Sequence, residues 1–329
     1  QGGCYLQSTA LRVHVVDVAL SQHRTAASFD AHEVFAGCLR SRGGLCVAHR
    51  PFTMIKLPLT SLCLLSLASV ASADELHETA TLDRAAGETG AGADLSFVSD
   101  FDSGFVSRLD LHGQWMHESG FGAYGQLAIS RAFLDDNELT PLIGKIDDIS
   151  LSNLELGGQY KKKLSNELAI VGHAGLVLPT AQSEPGVLLT NVISAQRRFN
   201  DLVTMLPDVT AARVGISPTW QRGAVFARAD LGLDVILDDG DAMSSSDSVA
   251  HANVAIGARQ GKLSGAVEVV TMIATGDVSE GADRFMHTGA LSLSYNAGSF
   301  TPNLAIVTPL DDAGRGDSLS IGAGVSATF

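Results

Sequence analysis

The stretch SLSIGAGVSATF at residues 318–329 alternates between apolar and small polar residues without an exception. One set of alternate positions is apolar throughout and comprises Leu319, Ile321, Ala323, Val325, Ala327 and Phe329. The other set contains only Ser, Gly and Thr. Because successive side chains of a β-strand point to opposite faces, this pattern predicts a strand with one apolar face and one small polar face.

The same alternation recurs from residue 90 onward. Between Val225 and Leu237, for example, Leu231 and Leu233 alternate with polar residues such as Asp230 and Asp234. Twelve such runs can be identified, at about 90–99, 105–116, 120–133, 150–161, 166–178, 209–221, 223–238, 249–260, 262–275, 285–297, 300–310 and 316–329. A tilted strand needs roughly 9–11 residues to cross a bilayer, so these lengths are typical of membrane-spanning strands.

The connectors between the runs alternate in length. Those after the second, fourth, sixth, eighth and tenth runs are minimal turns, such as Glu118-Ser119 and Gln260-Gly261. The others include the long connectors 134–149, 179–208, 239–248 and 276–284. Short turns at one end and long loops at the other indicate the periplasmic and extracellular sides of an outer-membrane barrel.

Residues 54–73, MIKLPLTSLCLLSLASVASA, have the pattern of a secretory signal peptide. Lys56 gives a positive start, residues 57–70 form an apolar core, and Ala71-Ser72-Ala73 is a small-x-small cleavage site. We therefore predict four parts: 1–53 as a mistranslated upstream segment, 54–73 as the signal peptide, 74–89 as a periplasmic N-terminal segment, and 90–329 as the barrel.

Composition excludes several classes of function. The formal net charge is −14, which argues against a nucleic-acid partner, because binding phosphates requires clustered Lys and Arg. All four cysteines, Cys4, Cys38, Cys46 and Cys63, precede residue 74. The rest of the chain therefore has neither a disulfide scaffold nor thiolate chemistry.

Taken together, the signal, the periodicity and the terminal Phe329 make this chain resemble Gram-negative outer-membrane β-barrels. The resemblance covers residues 74–329 and identifies no subfamily. It implies an all-β, antiparallel transmembrane barrel of about twelve strands in the bacterial outer membrane, surrounded by lipid and lipopolysaccharide. It also implies that the barrel-assembly machinery reads the last strand. Aromatic residues near the short turns predict a periplasmic girdle of Trp115, Tyr160, Trp220, Tyr295 and Phe329.

In most strands, charged residues and histidines occupy the alternate positions that face away from lipid. The predicted pore-lining set is Asp94, Arg108, Asp110, His112, Glu155, His173, Arg213, Arg228, Asp230, Asp234, His251, Arg259 and Glu268. Charges at membrane depth are costly unless they face water or one another. The set therefore fits either a hydrated pore or a closed interior filled by salt bridges, and twelve strands lie between filled and open barrels.

The third long connector contains GVLLTNVISAQRRFNDLVTML at residues 186–206. Its apolar residues recur at an approximately helical spacing between Pro185 and Pro207, which predicts a short helical segment in the third extracellular loop. Arg197 and Arg198 lie on its polar side and are the predicted constriction residues. The segment is interpreted as a gate, while its apolar side leaves open a carrier of hydrophobic solutes.

Several motifs bear on catalysis or cofactor binding. The GFGAYG stretch at 120–125 matches G-x-G-x-x-G but leads into a strand rather than a helix, so we predict no cofactor. The aspartates at 239, 241 and 247 lack the ordered spacing of a calcium loop, so we predict no metal. His117 and Ser119 have a spacing that suggests a lipid hydrolase, but they lie at a short turn. His287 has no neighbouring Ser to act as nucleophile, and no G-x-S-x-G is present. No catalytic residue is predicted.

The favoured function is a passive channel or transporter for small solutes. The alternatives are a structural or surface-interaction barrel with a sealed interior and a carrier of hydrophobic solutes; a lipid hydrolase is the weakest of the four.

The signal-peptide interpretation predicts that the exported protein begins at Asp74. A gene starting at Met54 should deliver the barrel to the outer membrane without residues 1–53, because the targeting information lies within 54–73. N-terminal sequencing of the membrane-extracted protein checks this. Recovery of a chain that retains residues 1–53 would reverse the start-site assignment.

Overall fold

The computed structural model describes residues 79–81, 87–100, 104–134, 149–181, 190–191, 193–195, 198–238, 248–275, 284–311 and 318–329. The predicted upstream segment, the signal peptide and Arg197 lie outside the described residues, so their assignments stay predictions.

The described chain consists mainly of long strands. They are β1 (Gly90–Asp100), β2 (Gly104–Met116), β3 (Phe121–Leu134), β4 (Ile149–Leu151), β5 (Leu154–Lys163), β6 (Leu168–Leu178), β7 (Thr210–Arg222), β8 (Val225–Asp238), β9 (Ser248–Gln260), β10 (Leu263–Ala274), β11 (Phe285–Tyr295), β12 (Phe300–Pro309) and β13 (Ser318–Thr328). A 3₁₀ turn at Phe199–Asp201 leads into a one-turn helix, α1, at Leu202–Met205.

Every pairing between these strands is antiparallel, and the sheet closes on itself because β1 pairs with both β2 and β13. β4 and β5 both pair with β3, β4 along Ile129–Arg131 and β5 along Phe121–Gln126, so they share one position in the wall. The barrel therefore has twelve strand positions, and the predicted fold is confirmed. The predicted bounds agree within two residues; the interruption between β4 and β5 was not predicted.

The two faces of the wall have opposite chemistry. Outward positions carry exposed apolar side chains, such as Leu231, Val254 and Ile321, whereas Arg228 and Asp230 are buried on the inward face. This inverts the arrangement of a soluble protein and matches a barrel that presents its apolar face to lipid. Among the described residues, no helix has both the length and the apolar character needed to cross a membrane.

The turns 117–120, 164–167, 223–224, 261–262 and 296–299 lie at one end of the barrel, called the short-turn end below. The strand ends that the longer connectors join lie at the opposite end. Glycines with positive φ occur in several of the tight turns, as at Gly120 and Gly223, where a side chain would strain the backbone.

Two chain segments occupy the barrel interior. The connector segment, the described residues of 190–209, is mostly buried. The N-terminal segment comprises Thr79–Thr81 and 87–89, and its Ala80 packs against Ala290 and Ala305 of the inner wall. The sequence analysis assigns 74–89 to the periplasm, whereas the structure places Thr79–Thr81 inside the barrel. The physical reason is the buried carboxylate of Glu268, which binds backbone N–H groups of this segment.

Because the outer face of the wall is apolar and meets lipid, we expect a charge placed at mid-strand on that face to destabilise the barrel. Val254 lies at the centre of β9 and is exposed. Val254→Lys should lower the free energy of unfolding by about 2–4 kcal/mol, the usual effect of a cationic side chain at the bilayer midplane. Urea unfolding in phosphatidylcholine vesicles measures it, with Val254→Leu as the control. Equal stability of the two variants would contradict the outward assignment.

Candidate functional site: the barrel lumen

One arginine organises the lumen near the long-connector end. The guanidinium of Arg213 on β7 donates to Asp234 on β8 from Nε and Nη2, the latter at 2.6 Å. Its Nη1 donates to Glu155 on β5 at 2.7 Å and to Asp201 of the connector segment at 3.3 Å. Tyr124 donates its hydroxyl to Glu155 at 3.0 Å. Wall and connector are thus joined by one buried ionic cluster.

A second buried ion pair lies on β2. Arg108 and Asp110 share a face because they are two residues apart, and Arg108 Nε donates to both carboxylate oxygens at 2.8 and 2.9 Å. The Nη1 group of Arg108 also reaches the connector, at 3.4 Å from the Ser194 carbonyl oxygen and 3.3 Å from the Met205 sulfur. This pair therefore also links the wall to the connector segment.

A buried asparagine in the break between β4 and β5 binds the same connector. Asn153, which is fully buried there, donates from Nδ2 to the Leu206 carbonyl at 2.6 Å. Its Oδ1 accepts from the Ala181 N–H at 2.8 Å, and its own N–H donates to the Thr204 carbonyl at 2.7 Å. Sequence analysis missed Asn153 as a functional residue. The sequence indicated Asn153 only by its position, two residues before Glu155 and therefore on the same inward face of the strand pattern.

The apolar side of the connector faces the wall. Val203, Leu206 and Val209 form one buried cluster with Val177 and Ile236 of the inner wall. Val203 and Leu206, which the sequence leaves open as a binding surface for hydrophobic solutes, are therefore covered in this conformation.

The N-terminal segment is held by a carboxylate on β10. Glu268 accepts hydrogen bonds from the N–H of Ala80, from the N–H of Thr81 at 3.0 Å and from the Thr81 hydroxyl at 2.6 Å. The Thr81 carbonyl in turn accepts from Asn200 Nδ2 at 3.0 Å and Arg198 Nη2 at 3.3 Å. The N-terminal and connector segments therefore meet inside the lumen.

Arg198, one of the two predicted constriction residues, is buried. Its Nε lies 2.8 Å from Asp201 Oδ2, and Asp201 also contacts Arg213. Arg198 is thus part of a continuous chain of charges from the wall to the N-terminal segment.

A further cluster lies on β6 to β9. Asp230 Oδ1 accepts from the Ser217 hydroxyl at 3.0 Å and lies 3.1 Å from His173 Nε2. His251 Nε2 is 3.7 Å from the other oxygen of Asp230. Asn253, opposite Asp230 in the β8–β9 register, is fully buried beside it. This cluster keeps the middle of the lumen polar.

The remaining members of the predicted pore-lining set also lie on the inward face. Asp94 Oδ1 accepts from Asn303 Nδ2 at 3.2 Å, and His112 Nδ1 is 3.8 Å from Asp94 Oδ2. Arg228 is buried, and Arg259 is partly exposed near the short-turn end. A cavity of about 10 Å³, the size of one water, lies between Arg108 and Asn153.

The five predicted girdle aromatics lie on the outer surface near the short-turn end, where Trp115 and Phe329 are more than half exposed. An outer aromatic cluster at the opposite end was not predicted. It contains Phe97, Phe105 and Phe133, and the rings of the last two stack with centroids 4.7 Å apart. All three phenylalanines occupy outward positions in the strand alternation, and this pattern could have identified them from the sequence.

The residues considered for hydrolysis lie outside the lumen. His117 Nδ1 is 2.9 Å from the Ser119 hydroxyl in an exposed short turn. His287 Nδ1 is 2.8 Å from Asp311 Oδ1, and no hydrogen bond joins His287 to a serine within the described residues.

The chain is similar to known proteins in fold and not in sequence. No protein-family model matches the chain, and no curated protein is significantly similar to it. The COG4313 outer membrane channel from Pseudomonas putida F1 is a structural neighbour at a TM-score of 0.52 and 11% identity, covering 74% of this chain and 96% of that one. The NanC porin matches at 0.48 and 10%, covering 73% and 100%, and the KdgM porin at 0.42 and 12%, covering 72% and 99%.

The closed antiparallel wall and the likeness to the COG4313 outer membrane channel make the fold that of a Gram-negative outer-membrane β-barrel. Sequence identities of 10–12% assign no subfamily within it.

The ionic cluster predicts a strong effect of removing its cation. Arg213→Met leaves Glu155, Asp234 and Asp201 close together and buried, so the free energy of unfolding should fall by about 3–5 kcal/mol. Denaturant unfolding in detergent measures the change. Arg222→Met is the control, because its pair with Glu167 is exposed and should contribute less than about 1 kcal/mol. Similar effects of the two substitutions would refute this account of the cluster.

Proposed function

We propose that the protein is an outer-membrane channel for small polar solutes, closed in this conformation by the connector and N-terminal segments. The observation that carries the proposal is how the lumen is filled. Two segments of the chain, bound to the wall by hydrogen bonds and ion pairs, occupy the space between the strands.

Barrel size supports this proposal. Eight strands enclose an interior that side chains can fill, whereas porins with sixteen or more strands leave an aqueous channel. Twelve strands enclose more space than the wall side chains fill, and the two segments take up that space. Moving them away would leave a lumen lined by the predicted pore-lining residues. That lining is charged and would favour hydrated, polar solutes.

The contacts that hold the segments suit a reversible closure. Each hydrogen bond to a charged group contributes roughly 1.5–3 kcal/mol, and each neutral one about 0.5–1.5 kcal/mol. The N-terminal segment is held by Glu268, Arg198 and Asn200, whereas the wall is held by the complete strand ladders. The N-terminal segment can therefore move without unfolding the barrel. The connector segment has more to exchange, because its contacts with Asn153, Arg213 and the apolar wall must also be given up.

The architecture also supports an orientation. Short turns of outer-membrane barrels face the periplasm and long loops face outward. With this orientation the connector segment enters the lumen from outside, and the N-terminal segment enters from the periplasm. The location in the outer membrane is part of the proposal and agrees with the predicted signal peptide.

A barrel sealed permanently for structural or surface-interaction purposes is the second candidate, because the same filled lumen would serve it. The hydrophobic-solute carrier is less well supported, since Val203 and Leu206 are packed against the wall. A lipid hydrolase would need a nucleophile beside His287, whose ring nitrogen bonds Asp311.

Planar-bilayer conductance separates a gated channel from a sealed barrel. Asn153→Ala removes the side chain that binds the connector at Leu206 and Ala181, and deletion of residues 186–206 removes most of the connector itself. Both should raise the conductance or open probability at least severalfold over the unmodified barrel. Asn303→Ala is the matched control, because this lumen asparagine binds Asp94 of the wall.

A conductance that rises in the two connector variants and not in Asn303→Ala supports gating. No conductance in any of the forms would remove the channel proposal and favour the sealed barrel. Lipid hydrolysis by the same samples, lost on His287→Ala, would favour the enzyme.

A further inference from the structure

The lumen binds residues 80 and 81 through both ends of a two-residue unit. At the amino side, the two consecutive N–H groups and the Thr81 hydroxyl all donate to the Glu268 carboxylate. At the carboxyl side, the Thr81 carbonyl accepts from Arg198 and Asn200. An acidic group and a basic group are therefore placed one dipeptide length apart.

The side-chain space around this unit is small. Ala80 packs against Ala290, Ala305 and Val307, so the adjoining wall accommodates a side chain of methyl size. Thr81 adds one short hydroxyl side chain, which Glu268 also binds. The site therefore selects small side chains at both positions of the unit.

We propose that the lumen site formed by Glu268, Arg198 and Asn200 recognises short zwitterionic peptides with small side chains, and that the N-terminal segment occupies it as an internal stand-in. This inference rests on the proposed channel function and names its class of solute.

The charges of a free dipeptide match the site better than the tethered segment does. Its terminal ammonium would take the place of the Ala80 N–H and face the Glu268 carboxylate. Its terminal carboxylate would take the place of the Thr81 carbonyl and face Arg198, a guanidinium suited to bidentate binding. Arg198 also contacts Asp201, which orients the guanidinium toward the lumen site.

Competition between the tethered segment and a free peptide follows from this geometry. The tether gives the segment a millimolar effective concentration, so a free peptide binds well only when the segment is displaced. Displacing the segment would also clear part of the lumen, so recognition of the solute and opening of the path are coupled.

The test vacates the site and measures peptide binding directly. Thr81→Glu places a second carboxylate against the buried Glu268 and should expel the segment by charge repulsion. Ala80→Trp should expel it by size, because the adjoining wall is lined by small residues. Thr79→Cys, added to each variant, reports expulsion through reaction with a thiol reagent, since no cysteine follows residue 63. Thr81→Ser is the matched control that keeps the hydroxyl.

The probe is alanyl-threonine, titrated calorimetrically into the detergent-solubilised barrel. It should bind the vacated variants at least tenfold more tightly than the unmodified protein or Thr81→Ser. Adding Glu268→Gln to the Ala80→Trp variant, whose expulsion does not depend on the Glu268 charge, should weaken binding at least tenfold. Tryptophanyl-tryptophan should bind at least tenfold more weakly than alanyl-threonine. Failure of alanyl-threonine to bind the vacated variants, or binding that is indifferent to Glu268→Gln, would overturn the inference. A segment that stays protected from the thiol reagent in both variants would also overturn it, because a stand-in must be displaceable.

Binding in detergent is independent of conductance, so the two proposals fail separately. Connector variants that conduct, together with vacated variants that do not bind the peptide, would leave the channel and remove the peptide site. Peptide binding by a barrel that never conducts would leave the site and remove the channel.

Discussion

The pairing of β1 with β13 is the interaction on which the rest of the structure depends. In hydrocarbon an unpaired backbone N–H or C=O costs several kcal/mol, so a membrane sheet is stable only without edges. Eleven residues of β1, Gly90–Asp100, are in register with Thr328–Ser318 of β13 and remove the last edge. Closure also divides the side chains into an outer set that meets lipid and an inner set that does not.

The inner set explains why the lumen is filled. Charged side chains that turn away from lipid must find counter-charges or hydrogen-bond donors within the barrel. Arg213 meets two wall carboxylates and one from the connector, while Glu268 is satisfied by backbone N–H groups of the N-terminal segment. The same electrostatic requirement therefore folds two otherwise irregular segments inward and makes them removable in principle, because polar contacts can be exchanged for water.

The strands and the direction of each side chain were predictable because both depend on a local period of two. Residues such as Arg228 and His251 were assigned inward from parity alone. Contacts across the lumen were not predictable. The alternation tells which face of a strand a side chain is on, but neither its position along the barrel axis nor the residue that it contacts. Glu268 and Thr81 are 187 positions apart, and the segment around Thr81 carries no strand period. Asn153 was missed because its role follows from an interruption in the β-ladder.

Enclosure of the N-terminal segment places a requirement on the order of assembly. This segment leads directly into β1, whose partner β13 is more than 200 positions away in the chain. Joining such distant strands has a high loop-closure entropy and is slow. The first residues of the barrel must therefore be inside the curving sheet when its two end strands join, or else thread through a mouth afterwards. If the segment is already inside when the end strands join, closing the ring and filling this part of the lumen are a single step of assembly.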